Sequence, residues 1–143
     1  MIYILDNIVA ILAATVAAFV FGGLYYRVLR GPYLRAAGPL AARAESRPGP
    51  LHYLGVFIAE FWLAAILIGG IILTPTDQGA GPWTMAFGTA GLIWVGFILP
   101  AFYVSYRVLG ARTRLIVIDV LHWLFAMLII AGVAQAIGVS SPV

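Results

Sequence analysis

Four predominantly apolar stretches decide what this chain can fold into. They run over residues 4–29, 51–73, 83–106 and 115–138, each longer than the roughly 20 residues a helix needs to cross a hydrocarbon core of about 30 Å. Inside a bilayer a segment must satisfy its own backbone, which a helix does. Of the 143 residues 64% are apolar and only 9% charged, where soluble domains run at about half and a quarter. Residues 1–143 therefore read as a single transmembrane domain, an all-α integral membrane four-helix up-down bundle. The first stretch lacks a basic flank and is read as a retained span, not a signal peptide.

The charges orient the bundle. Arg27, Arg30, Arg35, Arg43 and Arg47 lie in or beside the first connection, and Arg107, Arg112 and Arg114 in the third. The second connection, "TPTDQGAGP", carries only Asp77. The positive-inside rule then places loops 30–50 and 107–114 in the cytoplasm and both termini outside. A multi-pass protein of the bacterial cytoplasmic (inner) membrane is expected, the all-Arg, Ala- and Gly-rich usage pointing to a GC-rich genome. The basic balance belongs to these loops, so no nucleic-acid partner is expected. In the first loop Tyr33, Leu34, Ala37, Leu40, Ala41 and Ala44 recur at helical spacing. They make either a short amphipathic helix on anionic lipid or, given Pro32, Pro39, Pro48 and Pro50, a flexible linker.

Helices associate in lipid through close packing of small residues. Ala10, Ala14, Ala18 and Gly22 form such a stripe at four-residue spacing, with Ala65/Gly69, Ala86/Ala90 and Gly132/Ala136 on the other spans. These stripes predict a compact bundle with one face available to membrane lipids, a second copy or a larger membrane complex. Pro100 removes a backbone donor and should kink helix 3.

Polar residues inside the spans are few. Glu60 lies nine residues past Leu51 in "FIAEFW", ~13 Å along the helix, where a charge is penalised by about 2.5–3.5 kcal/mol on insertion scales. It must be protonated, paired or beside a wet cavity. Asp119 and His122 share one helical face of the fourth span, with His122 ~10 Å past Leu115 and hence level with Glu60. Tyr25, Tyr26, Tyr103 and Ser105 fall in the same half. The candidate ligand or proton site is therefore Glu60, His122, Asp119, Tyr26 and Tyr103. Asp119 is expected to pair with Arg107, Arg112 or Arg114, and His122 to serve either this site or a bond to a neighbouring helix. Tyr25, Tyr26, Trp62, Trp83 and Tyr106 fit an interfacial aromatic belt, while Trp94 and Trp123 fit packing.

The absence of Cys excludes disulfides and thiolate chemistry, and the absence of Lys excludes Schiff-base chemistry. His52 sits at the membrane edge, about two turns from the level of His122, which argues against bis-His haem. Glu60, Asp119 and His122 are metal-ligand types without a local spacing signature, so no metal and no cofactor is expected.

The segments "GGLYYRVLRGPYLRAAG", "GLIWVGFILP" and "DVLHWLFAMLIIAG" resemble the bacterial membrane family catalogued as domain of unknown function 1761. That family's first helix ends in Gly-x-Leu-Trp-Tyr before Ser-Pro; here Tyr25 replaces the Trp, Tyr26 matches, and Arg27-Val28 replaces Ser-Pro. Tyr33 corresponds to a later loop aromatic, and Trp94, Gly96 and Phe97 match a Trp-x-Gly-Phe element. The resemblance implies the four-helix fold and no particular reaction.

Three functional readings follow, with the balance leaning away from an enzyme. The first is a bundle component that docks on a larger membrane complex or self-associates. The second is proton-coupled binding or transport of a cationic or lipophilic small molecule through Glu60. The third is an intramembrane acid–base enzyme on a lipid-like substrate, with Glu60 and His122 as the candidate catalytic pair.

Overall fold

The computed structural model describes residues 2–41, 49–74 and 79–140. Four helices are long and apolar enough to cross a membrane: Ile8–Val28, Pro50–Leu73, Pro82–Val108 and Thr113–Ile137. They form an up-down bundle. In chain order the elements are α1 (Ile2–Asp6), α2 (Ile8–Val28), α3 (Arg30–Ala37), a 3-10 turn (Gly38–Leu40), α4 (Pro50–Leu73), α5 (Pro82–Ile93), a π turn (Trp94–Ile98), α6 (Leu99–Val108) and α7 (Thr113–Ile137).

Local sequence sets the span ends. Pro50 and Pro82 each open a helix behind an extended Gly49 or Gly81, positions where the missing N–H is no loss. Gly138, at φ 89°, ends α7 in a backbone conformation that only glycine adopts cheaply. The expected disruption at Pro100 takes the form of the π turn just before it, with the Leu99 N–H reaching back five residues to the Trp94 carbonyl. The extra residue of that turn rotates all that follows by about 100° relative to an unbroken helix.

The centre of the bundle is α7, which touches α2, α3, α4, α5, the π turn and α6. Half of its apolar window is buried, against 11% for the third span, which lies at the periphery. The α2 stripe is inside: Ala10, Ala14, Ala18 and Gly22 are all buried, and α2 packs against both α4 and α7. Ala86 and Ala90 are also fully buried. The Ala65/Gly69 pair has a different use, because it receives an aromatic ring. A Cβ on Gly69 would stand 3.0 Å from the Tyr3 ring, and the Tyr3 hydroxyl donates to the Ala65 carbonyl at 3.4 Å. On α7 the inward small residues are Ala126, Ala131 and Ala134. Gly132 is half-buried and Ala136 exposed, so the Gly132/Ala136 stripe expected from spacing is not the packed one.

The first loop contains a real helix. On α3, Ala36 and Ala37 are buried and pack with Ala111, Leu115 and Ile118, so its apolar side rests on the start of α7 and not on lipid. Arg112 donates from Nη1 to the Arg35 carbonyl at 3.0 Å and ties the two basic loops together. The remaining loop positions Arg43, Ala44, Arg47 and Pro48, and Asp77 of the second connection, lie outside the described residues. At the other end of the bundle, a residue unremarked in the sequence joins the first and fourth spans. Asn7 donates from Nδ2 to the Ser140 carbonyl at 3.0 Å and accepts from the Ser140 N–H at 2.8 Å.

Enlarging the α2 stripe tests this packing. Ala14→Leu or Ala18→Leu is expected to destabilise by about 1–3 kcal/mol through overpacking. Val16→Leu, on the half-exposed side of the same helix, should stay within about 0.5 kcal/mol, as measured by reversible unfolding in mixed micelles.

Candidate functional site

The site is built where α2, α4 and α7 meet near the basic loops. Gly22, at the end of the small-residue stripe, has no side chain, and two polar groups fill the space opposite. The position a Cβ would take lies 3.0 Å from His122 Nε2 and 3.6 Å from Glu60 Oε1. Glu60 and His122 thus converge on one point from different helices. Both are nearly sealed, at 2% and 3% exposure. Glu60 Oε2, His122 Nδ1 and His122 Nε2 nevertheless have no hydrogen-bond partner among the described residues.

His122 sits in an aromatic enclosure. The Phe21 ring stacks on the imidazole at 5.8 Å between centroids and 10°, with Tyr26 at 4.7 Å and Tyr25 at 5.3 Å. These rings fix the imidazole plane and supply no acceptor to its nitrogens. One turn earlier on α7 the situation reverses. Asp119 is as buried as its neighbours, but each carboxylate oxygen accepts a phenol: Tyr26 at 2.7 Å and Tyr106 at 2.6 Å. The Tyr25 hydroxyl donates to the Ile118 carbonyl at 2.8 Å. Among the described residues Asp119 is therefore held by tyrosines from the first and third spans and not by Arg107, Arg112 or Arg114, contrary to the expectation from loop proximity. Burial places it beyond the solvent that would support an ion pair at the surface. On α3, outside the spans, burial and then the nearby Asp119 carboxylate push the Tyr33 phenol above its ordinary value.

Beside this cluster is a partly open cavity of about 870 Å³, lined by Gly22, Glu60 and His122 together with Tyr26, Arg27 and Arg30 among others. Its size falls in the range of small-molecule pockets, about 300–1,000 Å³. Trp123 also lines it. Trp94, by contrast, donates from its indole to the Val120 carbonyl at 2.7 Å and braces α7 from the π turn. Of the five candidate residues the structure brings together Glu60, His122, Asp119 and Tyr26. Tyr103 is 51% exposed and lies under Arg107, whose guanidinium carbon is 5.9 Å from the ring centroid; it is not part of the cluster. Tyr106 stands in its place, and Tyr25, Tyr26 and Tyr106 turn inward, not into an interfacial belt. By its place in the chain Tyr106 reads as a membrane-boundary residue, and Gly22 as part of a packing stripe alone. The signal for Tyr106 was its three-residue offset from Tyr103, unreadable without the phase shift of the π turn. Among the described residues no group of three or more His, Asp or Glu is arranged to hold a metal ion.

Fold and cluster together define a small multi-pass membrane protein with buried polar groups near one end of a helical bundle. The chain matches the profile of the family described as protein of unknown function (DUF1761) over residues 9–135, and it belongs to that family. No curated protein and no solved structure matches it significantly.

The two phenols on Asp119 can be tested separately from their neighbour. Tyr106→Phe leaves one buried carboxylate oxygen without its donor and is expected to cost about 1–3 kcal/mol. Tyr103→Phe should change stability by less than about 0.5 kcal/mol in the same unfolding assay.

Proposed function

We propose that this protein is an intramembrane binding protein whose cavity, between α2 and α4 at the basic-loop end, takes up a small amphiphilic molecule. One observation carries this reading: Glu60 and His122, three of whose buried polar atoms have no hydrogen-bond partner among the described residues, line a cavity large enough for a ligand. Buried polar groups in native proteins are nearly always satisfied, and each one left alone costs about 1–3 kcal/mol. A bound molecule toward which the two side chains turn supplies the missing partners and recovers that cost, which makes the pair a recognition element. Asp119, already satisfied by Tyr26 and Tyr106, holds Tyr26 against the His122 ring and so shapes the wall.

The arginine placement supports a protein of the cytoplasmic membrane with the basic loops inside and the cavity opening toward the cytoplasmic leaflet. A second reading, self-association or docking on a larger complex, is favoured by the third span, which leaves Leu92, Val95, Phe97 and Val104 more than half exposed.

Filling the cavity tests the binding reading. Protein taken gently from native membranes should carry a small-molecule or lipid adduct in native mass spectrometry, and Gly22→Leu or Val56→Phe should remove it. An adduct retained in both variants would refute the proposal. The absence of Cys also makes single-cysteine chemistry clean. A cysteine at Ala80 should react with impermeant maleimide from outside intact cells and one at Gly110 only after lysis. A cysteine at Phe97 should cross-link copies if the third span is a dimer face.

A further inference from the structure

The cavity between α2 and α4 has a charged mouth and an apolar wall. The mouth lies at the basic-loop end, where Arg27 stands in the last turn of α2, Arg30 opens α3 and His52 lies in the first turn of α4. Deeper in the membrane the same cavity is lined by Gly23, Val56 and Phe19. From Arg27 back to Phe19 is eight residues of α2, ~12 Å of helical rise. There the Phe19 ring meets Phe57 of α4 edge-on, at 5.7 Å between centroids, so an aromatic contact bridges the two helices where the α2 lining ends. Between these levels Gly23 keeps the wall low. It is exposed, and a Cβ built on it would meet nothing within 4 Å, whereas Gly22 beside it is packed against His122.

This arrangement discriminates among occupants. The one acid in the lining, Glu60, is sealed at 2% exposure, so the mouth presents positive charge and disfavours a lipophilic cation. A free phosphate suits the guanidinium groups, which bind its oxygens bidentately, but leaves the apolar wall uncovered. A plain hydrocarbon covers the wall and gains nothing from the arginines. An anionic headgroup on an acyl chain suits both. It also lies in the direction a lipid takes, with its head at the loops and its chain toward the bilayer centre. The positive-inside rule puts those loops at the cytoplasmic leaflet, where anionic lipids give the surface its negative potential.

We infer that the cleft holds an anionic phospholipid of the cytoplasmic leaflet, its phosphate against Arg27 and Arg30 and one acyl chain running along Gly23 and Val56 toward Phe19. This rests on the cavity being a binding site and names the class of its occupant. Glu60 and His122 take no part in holding the headgroup.

The full chain is placed in phosphatidylcholine nanodiscs doped with phosphatidylglycerol or with phosphatidic acid, and the lipid retained on release into detergent is read by native mass spectrometry. Both anionic lipids should be retained roughly tenfold over phosphatidylcholine, the order expected for two arginines beside one headgroup. R27Q/R30Q should remove that preference, and R107Q/R114Q, in the other basic loop and outside the lining, should leave it. Gly23→Leu should displace the lipid with thermal unfolding unchanged, because its side chain enters open space. Gly55→Leu, equally unobstructed but outside the lining, should retain it. Glycerol 3-phosphate, the soluble source of the same group, should neither displace the lipid nor shift unfolding; displacement by it overturns the lipid assignment in favour of the free ester. Retention that follows the nanodisc composition, or that falls equally in the two arginine pairs or in the two glycine variants, marks a shell of bulk lipid and also overturns the assignment. If Gly22→Leu and Val56→Phe then still remove the adduct carried from native membranes, the binding cavity stands and only its ligand class falls. An adduct that survives both variants takes the cavity reading down with it.

Discussion

Close approach of α2 to its neighbours is the constraint on which the rest depends. Lipid is as apolar as the helices it surrounds, so association rests on van der Waals contact and on a few polar bonds. The stripe from Ala10 to Gly22 supplies that contact by withholding side-chain volume. Its last member does more than pack. Because Gly22 has no Cβ, the space beside its backbone is available to the side chains of Glu60 and His122, which come from two other helices. Any larger residue there would displace the imidazole.

Next to each other in this region are two polar arrangements with opposite states of satisfaction. Asp119 has a phenol on each oxygen, a closed network that locks the first and third spans to the fourth. Glu60 and His122 have no partner among the described residues for three of their polar atoms. In a low-dielectric interior the first arrangement rigidifies and the second remains costly. A buried polar group without a partner is rare in native folds, and the unsatisfied pair, not the satisfied acid, is the proposed recognition element.

Much of this was legible in the chain because the membrane allows few solutions. Four runs of sufficient length had to be helices, and connection lengths made them antiparallel. Counting residues from the basic loops put Glu60 and His122 at one depth, since rise per residue is constant. The α2 stripe was readable because four-residue spacing keeps one face. What failed was whatever depended on phase or on competing partners. Tyr103 and Tyr106 are three residues apart, nearly one turn, beside the same loop, and the π turn over Trp94–Ile98 decides which faces inward. Asp119 had three arginines nearby in sequence and took two tyrosines, because its side chain points into the bundle while Arg112 points toward α3.

The amino-acid sequence by itself determined the membrane class, the number and limits of the spans, the basic character of two loops and the depth of each buried polar group. These follow from hydrocarbon thickness and helical rise, which act on each segment separately. Only tertiary structure decided which side chains meet: the phenols on Asp119, the imidazole and carboxyl at Gly22, the docking of α3 on α7 and the cavity with arginines at one end. Those depend on the rotation of each helix about its axis, and that rotation is set by contacts among helices distant in sequence.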